Sequence, residues 1–160
     1  MPIKKDDKIF PNKVESPENL WADFGTMISN FTKISRRNSR KAGLTLPQAW
    51  ILQVISMRKG ISPKELSSYS GTSLPSITDL LDGLVSLNYV YRFKCKEDRR
   101  RAKISITEKG TGRLLKFQKL QRSMTEKLEK SLDHEDLMDF SRIIATMVKV
   151  LSTMEKVNGE

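Results

Sequence analysis

The chain has 160 residues, of which 38% are hydrophobic and 30% charged, with a formal net charge of +10. That length suits one compact domain, or a small domain with a dimerisation arm, and the basic excess favours a polyanionic partner over simple solubility. No apolar run approaches the roughly 20 residues of a membrane-spanning helix, and the charged start at Met1–Lys8 lacks the apolar stretch of a signal peptide, so no membrane association is expected.

Residues 1–17, with prolines at positions 2, 11 and 17, show no helical periodicity and are expected to form an extended arm. Ser16 as N-cap and Pro17 at the first helical position open a long helix. Leu20, Phe24, Met27, Phe31 and Ile34 place one apolar stripe along it, the basic run Arg36-Arg37-Asn38-Ser39-Arg40-Lys41 complements its C-terminal dipole, and Gly43 closes it.

A second helix is predicted from Pro47 to about Arg58, with Trp50, Ile51, Val54 and Ile55 inward and Lys59-Gly60 as the stop. Ser62-Pro63-Lys64-Glu65 is a capping box that starts a short third helix ending near Ser70-Gly71. After Thr72-Ser73-Leu74-Pro75, the residues Ile77, Leu80, Leu81, Leu84, Val85 and Leu87 recur at helical spacing as far as Asn88, which tolerates a left-handed backbone. Helix, short glycine-containing turn and helix together make a helix-turn-helix.

Beyond Asn88 the period changes to that of strands. Tyr89–Lys94 and Ala102–Ile106 read as an antiparallel pair around the charged loop Cys95–Arg101, a basic wing. Thr107 caps the next helix, whose stripe is Leu114, Phe117, Leu120, Met124 and Leu128. Asp133-His134-Glu135-Asp136 starts the last helix, with an a/d seam at Leu137, Phe140, Ile144, Met147, Leu151 and Met154. The predicted fold is mainly α with a small β-hairpin wing: a winged helix-turn-helix core at 44–110, a flanking N-terminal helix at 18–43 and C-terminal helices at 111–157.

The stretch from Asp98 through Arg100, Ile104 and Ile106 to Thr107, followed by Glu108-Lys109-Gly110, resembles the wing motif of the MarR family of transcriptional regulators. That motif runs Asp-x-Arg, three variable residues, a branched apolar residue, any residue, an apolar residue and Thr, commonly followed by Glu-Lys-Gly. The resemblance extends over about residues 18–157. Asn88 stands where the family commonly has glycine. Gly83 lies inside the second helix of the turn, at a cost of about 1 kcal/mol against alanine, and close packing is the expected reason.

The resemblance implies a homodimeric, sequence-specific regulator of double-stranded DNA, a repressor in the first instance. An architectural DNA-binding protein without an effector is the alternative. In the major groove the N-terminal turn of the second helix would present Ser73, Leu74, Pro75, Ser76 and Thr78, although Ser73 also reads as a simple cap. Arg100 would enter an A·T-rich minor groove, braced by Asp98, which phosphate would repel. Lys64, Arg92, Lys94, Arg99, Arg101 and Lys103 are candidates for phosphate contact, as is the cluster Arg36, Arg37, Arg40 and Lys41. The terminal stripes exceed what the small core covers and are expected to pair two chains, with half-sites roughly 34 Å apart.

The resemblance also implies a small aromatic or phenolic effector. Trp21, Phe24, Met27, Phe31, Trp50 and Phe117 could line its pocket, although each also reads as plain core. Cys95 is the single cysteine, so no intrachain disulfide forms and a cytoplasmic location is expected. Its basic neighbours Lys94 and Lys96 would favour a thiolate, but a structural cysteine is the preferred reading. With one histidine, His134, and one cysteine, no metal, cofactor or catalytic constellation is expected.

Overall fold

Seven aliphatic side chains, Leu52, Ile55, Leu66, Ile77, Leu81, Leu84 and Ile104, carry essentially no exposed surface and form the centre of the hydrophobic core. Removing each from water contributes roughly 1.5–3 kcal/mol. Residues 17–94 and 102–157 are described by the computed structural model. The elements in chain order are α1 (Pro17–Lys41), α2 (Leu46–Met57), α3 (Pro63–Ser70), α4 (Leu74–Ser86), β1 (Val90–Lys94), β2 (Ala102–Ile106), α5 (Glu108–Glu129) and α6 (His134–Val157). The expected mainly helical fold with a two-stranded hairpin is the observed one.

Local chemistry sets most of the boundaries. Ser62 caps α3 through a complete capping box: Glu65 donates its amide to Ser62 Oγ, and Ser62 donates its own amide to Glu65 Oε2 at 2.7 Å. A second box, Thr45 with Gln48, opens α2 in the same way. Gly43, Gly60 and Gly71, which follow α1, α2 and α3, have φ of +76°, +73° and +62°, and Asn88 after α4 has φ of +57°. Asparagine thus takes the left-handed position that otherwise calls for glycine.

The hairpin pairs Val90 with Ile106 at its base and Lys94 with Ala102 at its far end. Ile104 also donates its amide to Ile61 O at 2.9 Å, which fastens the segment between α2 and α3 to the outer edge of β2. Within β1 only Val90 is buried, while Tyr91 and Phe93 are exposed with their rings 5.9 Å apart. Tyr89 precedes the strand and packs in the core.

Two helical expectations, at Trp50 and Gly83, need correction. Trp50 does not point inward: it is 47% exposed, while Ala49 and Leu52 take the buried positions beside Ile51 and Ile55. Helix α2 is apolar on most of its circumference, so periodicity alone does not choose its inner face. Val85 and Leu87 are exposed at the end of α4. Gly83 is not required by close packing, because a Cβ there would meet only Gln48 Nε2 at 4.0 Å, an ordinary contact.

Helix α1 meets the rest of its unit through polar residues. Ser35, Asn38 and Ser39 are buried. Asn38 Nδ2 donates to Gln121 Oε1 at 2.8 Å and to Leu120 O at 3.3 Å, and Gln121 Nε2 donates to Ser35 Oγ at 2.9 Å. The apolar residues Leu20, Trp21, Met27, Ile28 and Phe31 remain exposed. A smaller compact unit begins at Arg122 and contains α6. There Phe140, Ile143, Ile144, Val148, Leu151 and Met154 are exposed, while Leu137 and Met147 are half-buried.

Candidate nucleic-acid interface

Helix α4 buries Ile77, Leu81 and Leu84 and leaves the other side of its first turn to solvent. Ser73 caps it, its Oγ accepting from the Ser76 amide at 3.4 Å and lying 2.9 Å from Ser76 Oγ. Leu74, Pro75 and Ser76 are exposed, and Thr78 is half-buried with its hydroxyl donating to Leu74 O. The residues expected to read bases therefore share one accessible turn. Ser73 and Thr78 are partly engaged with their own helix, although each hydroxyl keeps acceptor capacity.

Of the expected phosphate contacts, Lys64 and Lys94 are exposed, and Lys103 is half-buried with its alkyl chain beside Gly60. Arg92 is committed to an ion pair: its Nη2 lies 2.5 Å from Asp82 Oδ1. The pair ties β1 to α4 and fixes the hairpin against the helix it follows. Both side chains are substantially exposed, so its worth to stability is small, about 0–1 kcal/mol. Asp98, Arg99, Arg100 and Arg101, together with Cys95, lie outside the described residues.

The Thr-Glu-Lys-Gly stretch caps α5 through Thr107, as expected, and also joins it to the turn before the hairpin. Thr107 Oγ1 accepts from the Gly110 amide at 3.0 Å and lies 2.8 Å from Asn88 O, to which it donates. The Thr107 amide donates to Tyr89 O, and Lys109 Nζ donates to Leu87 O while lying over the Tyr89 ring. Gly110 touches the same turn: a Cβ there would stand 2.1 Å from Tyr89 O. The motif clamps the start of α5 onto the exit of α4 and the base of the hairpin.

Of the six residues expected to line an effector pocket, Phe24 is half-buried. Phe117 belongs to the core, whereas Trp21, Met27, Phe31 and Trp50 are 43–76% exposed. A cleft of about 850 Å³ lies elsewhere, beside α3 and the start of α4, with Arg58, Lys64, Tyr69, Leu74 and Ala102 among its lining residues. Neither Arg58 nor Tyr69 was singled out by the sequence. Helix periodicity marks them only as surface, and their pairing depends on the fold. Among the described residues, no group of three or more His, Cys, Asp or Glu side chains is placed to hold a metal ion, and no helix is long and apolar enough to cross a membrane.

Helix α3, the turn at Thr72-Ser73, helix α4 and the following hairpin define a winged helix-turn-helix protein. Residues 42–101 match the model of the MarR family. That segment runs from α2 through β1. The chain is also similar to the HTH-type transcriptional repressor YetL of Bacillus subtilis (strain 168), at 40% identity over 57 residues. The match covers 36% of this chain and 34% of YetL, about a third of that relative's length.

The fold is shared more widely. FabT of Streptococcus pneumoniae, solved in complex with DNA, superposes with a TM-score of 0.81 at 18% identity, covering 87% of this chain and 99% of FabT. The apo form of MarR from E. coli gives a TM-score of 0.71 at 19% identity over 85% of this chain and 98% of MarR. At such identities the likeness is one of fold.

Proposed function

We propose that this chain is a DNA-binding transcriptional regulator, acting as a repressor and as a homodimer on a pseudo-palindromic operator. The observation that carries the proposal is the accessible first turn of α4, presented beside basic residues of α3 and the hairpin and held there by the Thr107–Gly110 clamp. Such a turn fits the major groove, where side chains at a helix N-terminus reach base edges. The repressor YetL and the DNA complex of FabT support the reading. A +10 chain would bind duplexes with steep salt dependence, because neutralised phosphates release counterions.

Dimerisation follows from two apolar faces. The first half of α1 and most of α6 expose more large apolar side chains than a soluble monomer ordinarily leaves uncovered. A second copy would cover them and supply the second half-site. Release by a small aromatic ligand is the regulatory extension of this reading, tested by adding phenolic acids to a preformed complex.

Selection of bound duplexes from a random pool, followed by titration with matched and scrambled competitors, tests the proposal. A regulator enriches one pseudo-palindrome and discriminates strongly against scrambled DNA. An architectural protein binds both alike, and that result would move the assignment to the second reading.

A further inference from the structure

The cleft beside α3 shares Lys64 and Leu74 with the candidate DNA contacts, and Arg58 and Tyr69 lie outside that set. Arg58 projects into it from the C-cap of α2, with the carbon of its guanidinium 4.7 Å from the centroid of the Tyr69 ring. Among the described residues that guanidinium has no carboxylate partner. Lys64 adds a second exposed cation to the lining. The one acid there, Glu65, turns its carboxylate onto the amide and hydroxyl of Ser62, at 2.7 and 2.6 Å. The lining thus carries two cations, Arg58 and Lys64, against the one carboxylate of Glu65, an excess of one positive charge.

The placement of the cleft supplies the ligand. Its rim includes Leu74, the first residue of α4, and Ala102, at the end of the hairpin. If α4 enters a major groove and the hairpin reaches toward the adjacent minor groove, the sugar-phosphate strand separating the two grooves passes over this opening. An arginine laid flat on an aromatic face is held by cation–π attraction while the N–H groups at its edge stay free for a phosphate oxygen.

We propose that Arg58 contacts a backbone phosphate of the bound duplex and that Tyr69 is its positioning residue. This deepens the DNA-binding reading and rests on it. The contact carries no sequence information, so it adds affinity equally on every duplex.

The test uses the full chain and a fluorescein-labelled duplex of random sequence at low salt, with anisotropy measured across a salt series. Arg58→Ala should lower the slope of log affinity against log salt by about 0.9, the share of one phosphate, with the same loss on unrelated duplexes. Tyr69→Phe should keep the wild-type slope, and Tyr69→Ala should reduce affinity without changing the melting temperature. Wild-type binding together with an unchanged slope for Arg58→Ala overturns this inference and leaves the DNA-binding reading standing. A Tyr69→Phe variant as weak as Tyr69→Ala overturns the positioning role of the ring. A wild-type chain that binds no duplex overturns both this inference and the reading beneath it.

Discussion

Gly110 shows how one residue of a sequence motif becomes a physical requirement. Its Cα faces the Tyr89 carbonyl so closely that any side chain meets backbone at 2.1 Å and Ile106 Cγ1 at 2.9 Å. Backbone on one side and a strand on the other leave no room to yield. Gly110→Ala should cost about 3 kcal/mol or more, as severe overpacking does, and a thermal or denaturant melt will read it. Gly112, two residues on, has open space, so Gly112→Ala should fall within about 0.5 kcal/mol of wild type or stabilise the helix slightly. Arg100 belongs to this scale as well. If it enters a minor groove, Arg100→Ala should weaken binding most on duplexes with A·T-rich flanks. An equal loss on all flanks in anisotropy titrations would mean that it contacts only phosphate.

At the scale of elements, the sequence was most legible where structure is made by neighbours in the chain. Ser62 and Glu65 are three residues apart and form their box without reference to the rest of the fold. Thr45 and Gln48 carry the same signal and could have been found by the same rule, which would have started α2 at Leu46. Trp50 was not legible, because α2 offers apolar residues on nearly every side and tertiary packing makes the choice. The polar seam of α1 was invisible for the opposite reason. Attention to an apolar stripe selects Leu20, Met27 and Phe31, which are exposed, and passes over Ser35, Asn38 and Ser39, which are buried. The amide of Asn38 reaches Gln121 across a sequence separation that no local pattern encodes. Truncation at Asn38→Ala removes its two hydrogen bonds to α5, those to Gln121 Oε1 and Leu120 O. It should cost about 1–3 kcal/mol, measured as a drop in denaturant midpoint at unchanged slope. An isosteric Asn38→Asp change tests the geometry, because a carboxylate cannot donate to Gln121 Oε1 or Leu120 O.

For the molecule as a whole, the unpaired apolar faces matter most. Trp21, Phe31, Ile144 and Leu151 are exposed at 76%, 43%, 38% and 57%, yet none lies in the recognition region. Their removal should change assembly without touching the first turn of α4. Leu151→Arg should yield a monomer in sedimentation velocity, keep its helical signal, and lose affinity for a paired half-site far more than for an isolated one. The candidate interface was legible in the sequence as a set of residues, α4 and hairpin together, since spacing and capping place them. The commitment of Arg92 to Asp82 and the Arg58–Tyr69 stack were not, because both join elements that only the fold brings together.

In the proposed regulator, two copies of this chain hold one duplex through paired recognition turns. Sedimentation equilibrium of the chain with a duplex recovered by selection measures it directly. The expected result is a complex of two chains per duplex that dissociates as salt rises. A saturated complex containing one chain, or no complex at any salt concentration, would contradict it.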